Sequence, residues 1–109
     1  MLTGHIGFGL QIGTVPMNRQ EAQAFASAVR SAVKSVGATI LFEGIGQGTY
    51  EGVSEPSAAL TFEFEGDLSG FSVNRRLETL RNLLADAADA FAQDCIALTL
   101  GSAELIGKH

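Results

Sequence analysis

The stretch Ser57–Phe64, SAALTFEF, constrains the fold more than any other part of the chain. Ala58, Leu60, Phe62 and Phe64 fall on one side of an extended backbone, and Ala59, Thr61 and Glu63 on the other. Strict alternation of this kind marks a strand with one face in a core. The other elements must then supply strands beside it and layers against its apolar face.

Thr3–Gly13 alternates in the same way, with Ile6, Phe8, Leu10 and Ile12 opposite His5, Gly7, Gly9 and Gln11. Val15-Pro16-Met17 ends this first strand. Asn18 followed by Glu21 reads as a capping box with Asn in place of Ser or Thr. Ala22, Phe25, Ala26, Val29, Val33 and Val36 then form one apolar stripe at helical spacing, and Gly37 suits the left-handed residue past a helix end. Ala38–Ile45 reads as a second strand, with Ala38, Ile40 and Phe42 inward and Thr39, Leu41 and Glu43 outward. The glycines at 44, 46 and 48 read as a bend or a bulged strand. A dinucleotide fingerprint must open a helix, whereas this run leads to another strand. Gly52–Pro56 reads as the turn of a long hairpin.

After Ser57–Phe64, Glu65–Gly70 reads as a loop. A second helix is expected from Ser72 or Asn74 to Gln93, with Leu77, Leu80, Leu84, Ala87 and Phe91 as its stripe, widened by Leu83 and Ala88. Cys95–Leu100 forms a fourth strand with Ile96, Leu98 and Leu100 inward, and Ala103–Ile106 is a candidate short strand. The order β-α-β-β-α-β, with one apolar stripe per helix, predicts a single α+β domain over residues 1–109. Its architecture is the ferredoxin-like split βαβ arrangement, a four-stranded antiparallel sheet with both helices on one face.

In that fold the second sheet face is left open. It carries Gly7, Gly9, Gln11, Leu41, Ala59, Thr61, Ala97 and Thr99, a nearly flat surface of mostly small groups. Faces meant for bulk water usually carry more charge. The expectation is a homodimer closed through this face by a twofold axis.

Composition narrows the function. The chain has 109 residues, a net charge of −5 and one cysteine. An acidic protein lacking clustered Lys and Arg is a poor match for nucleic acid. No apolar run is long enough to span a membrane and no leader pattern opens the chain, so a cytoplasmic location is expected. From Ala38 to Val73 the chain holds acids and no base. There is no metal-ligand spacing and no cofactor motif, so neither is expected.

Three sets of residues invite chemistry. His5 and Glu63, on neighbouring strands and one face, are a candidate acid–base or ligand pair, or a surface pair without chemistry. Arg75 and Arg76 near the start of the second helix oppose its macrodipole and suggest an anion site, unless Glu65, Asp67 or Glu78 pairs with them. Cys95 beside Asp94 reads as a structural thiol. No residue stands out as catalytic.

Gly48-Thr49-Tyr50-Glu51-Gly52 leading to Glu55 and Ser57, and Phe91–Thr99 leading to Glu104-Leu105-Ile106, resemble small uncharacterised proteins of actinobacteria and their bacteriophages. The resemblance implies a bacterial or phage protein of the host cytoplasm and carries no site residues with it. The expected function is a non-enzymatic interaction protein, a homodimeric phage or bacterial accessory factor that modulates its host. The alternatives are a small-molecule or anion-binding sensor, and a dimeric α+β-barrel enzyme using His5.

Overall fold

A computed structural model describes residues 2–64 and 70–102. The elements are β1 (Leu2–Gly9), β2 (Gln11–Ile12), β3 (Val15–Pro16), α1 (Arg19–Ser35), β4 (Ala38–Tyr50), β5 (Val53–Phe64), α2 (Gly70–Ala90) and β6 (Ala97–Ser102). The main sheet has the order β4-β5-β1-β6, and every neighbouring pair is antiparallel. This is the ferredoxin-like α+β fold expected from the element order. The loop at 65–69 and the short strand at 103–106 lie outside the described residues.

The alternation in β1 and β5 is what buries the core. Ile6 and Phe8 from β1, with Leu60, Phe62 and Phe64 from β5, are buried against Phe25, Val29 and Val33 of α1 and Leu77, Leu80 and Leu84 of α2. The Phe25 ring lies edge-on to Phe8 at 5.0 Å between centroids and stacks on Phe91 at 4.9 Å, joining β1, α1 and the end of α2. The capping box forms as read: Asn18 Oδ1 accepts from the Glu21 N–H at 2.8 Å, and Glu21 Oε1 accepts from the Asn18 N–H at 3.1 Å. Gly37 takes φ +78°, ending α1 in the left-handed region.

Four boundaries differ from the sequence reading. The first strand ends at Gly9, and residues 11–16 form a separate two-stranded hairpin turned at Gly13, which has φ +61°. The long hairpin turns at Glu51-Gly52, not over Gly52–Pro56; both central residues have positive φ, as a type I′ turn requires. Helix α2 begins at Gly70, ahead of Ser72. It ends at Ala90 through a left-handed Ala92, φ +53°. There the Gln93 N–H reaches the Ala88 carbonyl at 2.8 Å and the Ala92 N–H reaches that of Asp89 at 3.3 Å, a Schellman motif built on alanine.

A fifth difference moves side chains between faces. Ile40 pairs with Phe62 and Phe42 with Thr61, which leaves Leu41 as an extra residue in β4. A bulge of this kind reverses the facing of every later residue in its strand. Phe42 therefore stands on the open face with Thr61 and is 75% exposed, where the alternation had placed it inward. Glu43, expected outward, lies on the helix side, where Arg30 Nε donates to its Oε2 at 3.0 Å.

Charge is distributed by layer. Every Lys and Arg among the described residues lies on α1 or α2, while Glu43, Glu51, Glu55 and Glu63 belong to the β4–β5 hairpin.

Candidate functional site

The strand registers arrange the open face as a grid. Phe42, Thr61, His5 and Thr99 form one row across β4, β5, β1 and β6. The next row is Gly44, Ala59, Gly7 and Ala97, and the third is Gly46, Ser57 and Gly9. Gly48 then faces Glu55. Rows of one face lie about 7 Å apart along a strand, and strands lie about 4.8 Å apart. The small second and third rows thus form a sunken floor, with bulkier Phe42 and His5 at one end and Glu55 at the other.

This floor is a groove of about 670 Å³, to which Cys95 adds a wall. It is within the range of small-molecule sites, about 300–1,000 Å³. Among the described residues no Lys or Arg lines it. A Cβ built on Gly44 or Gly46 would meet nothing within 4 Å, so the missing side chains there are open space. Gly48 and Gly9 differ, because neighbours fold over them. A Cβ on Gly48 would lie 2.5 Å from Ser57 Oγ, and one on Gly9 would lie 2.7 Å from Glu55 Oε1.

Of the residues expected to bind or react, His5 is exposed on the open face, and its Nδ1 lies 3.4 Å from Thr61 Oγ1. Its register partners are Thr61 and Thr99, whereas Glu63 sits opposite Thr3. The expected His5–Glu63 pair is therefore diagonal, and the ring faces a hydroxyl instead.

Arg75 and Arg76 fall on the second turn of α2, since the helix begins at Gly70. The free N–H groups of a helix start belong to earlier residues. Arg76 Nη1 lies 3.5 Å from the Cβ position of Gly37, at the C-terminal end of α1, whose partial negative charge suits a guanidinium. The two arginines thus lie one turn beyond the helix start at which the anion site was expected.

Of the expected interface residues, Gly7, Gly9, Ala59, Thr61, Ala97 and Thr99 share the open face. Gln11 does not, because it belongs to the small hairpin, where its Nε2 donates to the Gly13 carbonyl at 3.1 Å. Leu41 is the bulge residue, 40% exposed. The face is grooved, not flat.

Sequence reasoning missed Phe42, Gly44, Gly46 and Glu55 as site residues, and with them Gln93, which lines a smaller cavity of about 360 Å³ that shares Gly9 and Glu55 with the groove. The signal for the glycines was present: glycine at 44, 46 and 48 has the period of one strand face. Cys95, read as a structural thiol, is exposed.

No family model matches the chain, and no curated protein matches it. Among solved structures it is similar to a phage SAM lyase in complex with S-methyl-5′-thioadenosine, with a TM-score of 0.55 and 18% identity over 92% of this chain and 79% of that one. A phage SAM lyase in the apo state gives a TM-score of 0.58 and 19% identity over 92% and 78%. An amidase of the hydantoinase/carbamoylase family from Burkholderia multivorans gives 0.57 and 19% identity over 92% of this chain, which spans 26% of that larger chain. At these identities the likeness shows a shared fold.

Proposed function

We propose that the protein binds a small, phosphate-free molecule of nucleoside size on its open sheet face. The observation that carries this reading is the groove of about 670 Å³, floored by glycine and alanine and lined, among the described residues, by no Lys or Arg. Such a floor admits a flat ring close to the backbone, and Phe42 offers it an aromatic neighbour. The absence of basic groups from the lining disfavours phosphates, which are recognised through Arg and Lys. A phage SAM lyase of the same fold has been seen with S-methyl-5′-thioadenosine, itself a phosphate-free nucleoside, and this supports the same ligand class here.

The test uses the empty space above the glycines. Gly46→Leu adds a side chain where a Cβ meets nothing within 4 Å and leaves the core face of β4 untouched. Calorimetric titration with S-methyl-5′-thioadenosine is expected to saturate at one per chain for the native protein and to fail for Gly46→Leu, with matching circular dichroism spectra. No saturable binding up to millimolar ligand, or binding indifferent to Gly46→Leu, would overturn the reading.

One observation favours a second reading, a homodimer joined through the same face. Phe42 is 75% exposed there, an apolar surface that a second copy would cover. Light scattering at twice the chain mass for the native protein and once for Phe42→Ser supports this reading; a native monomer removes it.

A further inference from the structure

The groove differs at its two ends, and the difference names the charge of its ligand. We propose that the end over Gly9 is a subsite for an organic ammonium group, held by the Glu55 carboxylate and the Gln93 amide oxygen. This rests on the groove being a small-molecule site, and it adds which end of the molecule goes where.

Both acceptors reach over the backbone of Gly9. A Cβ on Gly9 would lie 2.7 Å from Glu55 Oε1 and 3.4 Å from Gln93 Oε1. Because residue 9 is glycine, both oxygens overhang bare backbone. The amide orientation of Gln93 is fixed by its other end, where Nε2 donates to the Gln11 carbonyl at 2.7 Å and to the Phe91 carbonyl at 3.1 Å. That leaves Oε1 as the group turned toward Gly9. The strands set where this happens: Gly9 pairs with Ser57, two residues from Glu55, while the Schellman turn after α2 brings in Gln93.

Among the described residues no cation pairs with the Glu55 carboxylate. Among the described residues the ion pair is Arg30–Glu43, and Glu21 is held by its cap, while no hydrogen bond or ion pair reaches the side chain of Glu55. Among the described residues no Lys or Arg lines the groove to neutralise it.

An ammonium group brings donors and no acceptor, which matches a carboxylate and an amide oxygen lying over one glycine. A phosphate or carboxylate would meet two acceptors and be repelled. A neutral substituent would fit without the charge-assisted bond. A metal ion is the poorer match, because the described residues hold no group of three or more His, Cys, Asp or Glu able to bind one.

The experiment holds the nucleoside constant and changes its 5′ end. The native protein is titrated with 5′-amino-5′-deoxyadenosine, S-methyl-5′-thioadenosine and adenosine 5′-monophosphate at neutral pH. The amine is expected to bind roughly tenfold more tightly than the thioether, the advantage of one charge-assisted hydrogen bond, with the monophosphate weakest. The readout is the ratio of amine to thioether affinity. It should fall to near one in Glu55→Gln and recover in Glu55→Asp, which restores the charge. A native ratio near one, or a high ratio that survives Glu55→Gln, overturns the ammonium subsite while leaving thioether binding in place. If no adenosine derivative binds, the groove reading falls and the subsite falls with it.

Discussion

Gly4 lies directly under the Phe62 ring, its register partner on β5, and a Cβ at residue 4 would run into that ring. Gly4→Ala is therefore expected to lower stability by about 1–3 kcal/mol or more in urea denaturation, since Phe62 is fully buried and has no room to retreat. Ala92 poses the opposite case. It holds φ +53°, a conformation that disfavours any side chain by about 1–2 kcal/mol. Ala92→Gly should raise the melting temperature by several degrees, because it relieves that cost while keeping the Schellman hydrogen bonds. An unchanged or lowered midpoint would mean that the extra freedom of unfolded glycine cancels the relief. The two helix ends were not equally readable. Gly37 announces the end of α1 because glycine is the usual residue there, and Asn18 with Glu21 announces its start. Alanine gives no sign of a left-handed backbone, so the end of α2 was placed too late.

Among the elements, β4 decides what the open face is. Alternation in β1 and β5 was legible because each keeps period two from end to end and buries one face. In β4 the period breaks at Leu41, and residues 40–42 are all apolar, so composition offers no mark of the break. The extra residue turns Phe42 and the glycines at 44, 46 and 48 to one face and sends Glu43 to Arg30. Deleting Leu41 tests this directly. Without it Ile40 and Phe42 become neighbours opposite Phe62 and Thr61, so plain alternation keeps Ala38 and Ile40 on the core side and Phe42 on the open face. The expected loss in urea denaturation is about 1–2 kcal/mol, the partial burial of a Leu41 side chain that is 40% exposed. A loss above about 4 kcal/mol would show that the bulge itself is required for the fold. The Arg30–Glu43 pair is a separate matter. Both side chains are substantially exposed, and Glu43→Gln should change stability by no more than about 1 kcal/mol.

For the molecule as a whole, the fold class was readable from element order and apolar stripes, while the groove was not. A groove arises from register, from a bulge and from glycine floors shared by several strands, and each of these couples residues far apart in sequence. The separation of charge, visible already in the base-free stretch from Ala38 to Val73, acquires a direction once the layers are known. Among the described residues the helices hold all the bases together with Glu21, Glu78, Asp86 and Asp89, whereas the hairpin holds Glu43, Glu51, Glu55 and Glu63 and no base, so the strand side is the more negative of the two in a molecule of net charge −5. Such a field acts before contact. It draws a positively charged solute toward the strand side during diffusion and turns an anion aside, and dissolved ions damp it over about 10 Å at 0.1 M salt. The encounter rate of a cationic nucleoside should accordingly fall as salt is raised, measured by stopped-flow mixing, whereas that of a neutral one should stay level.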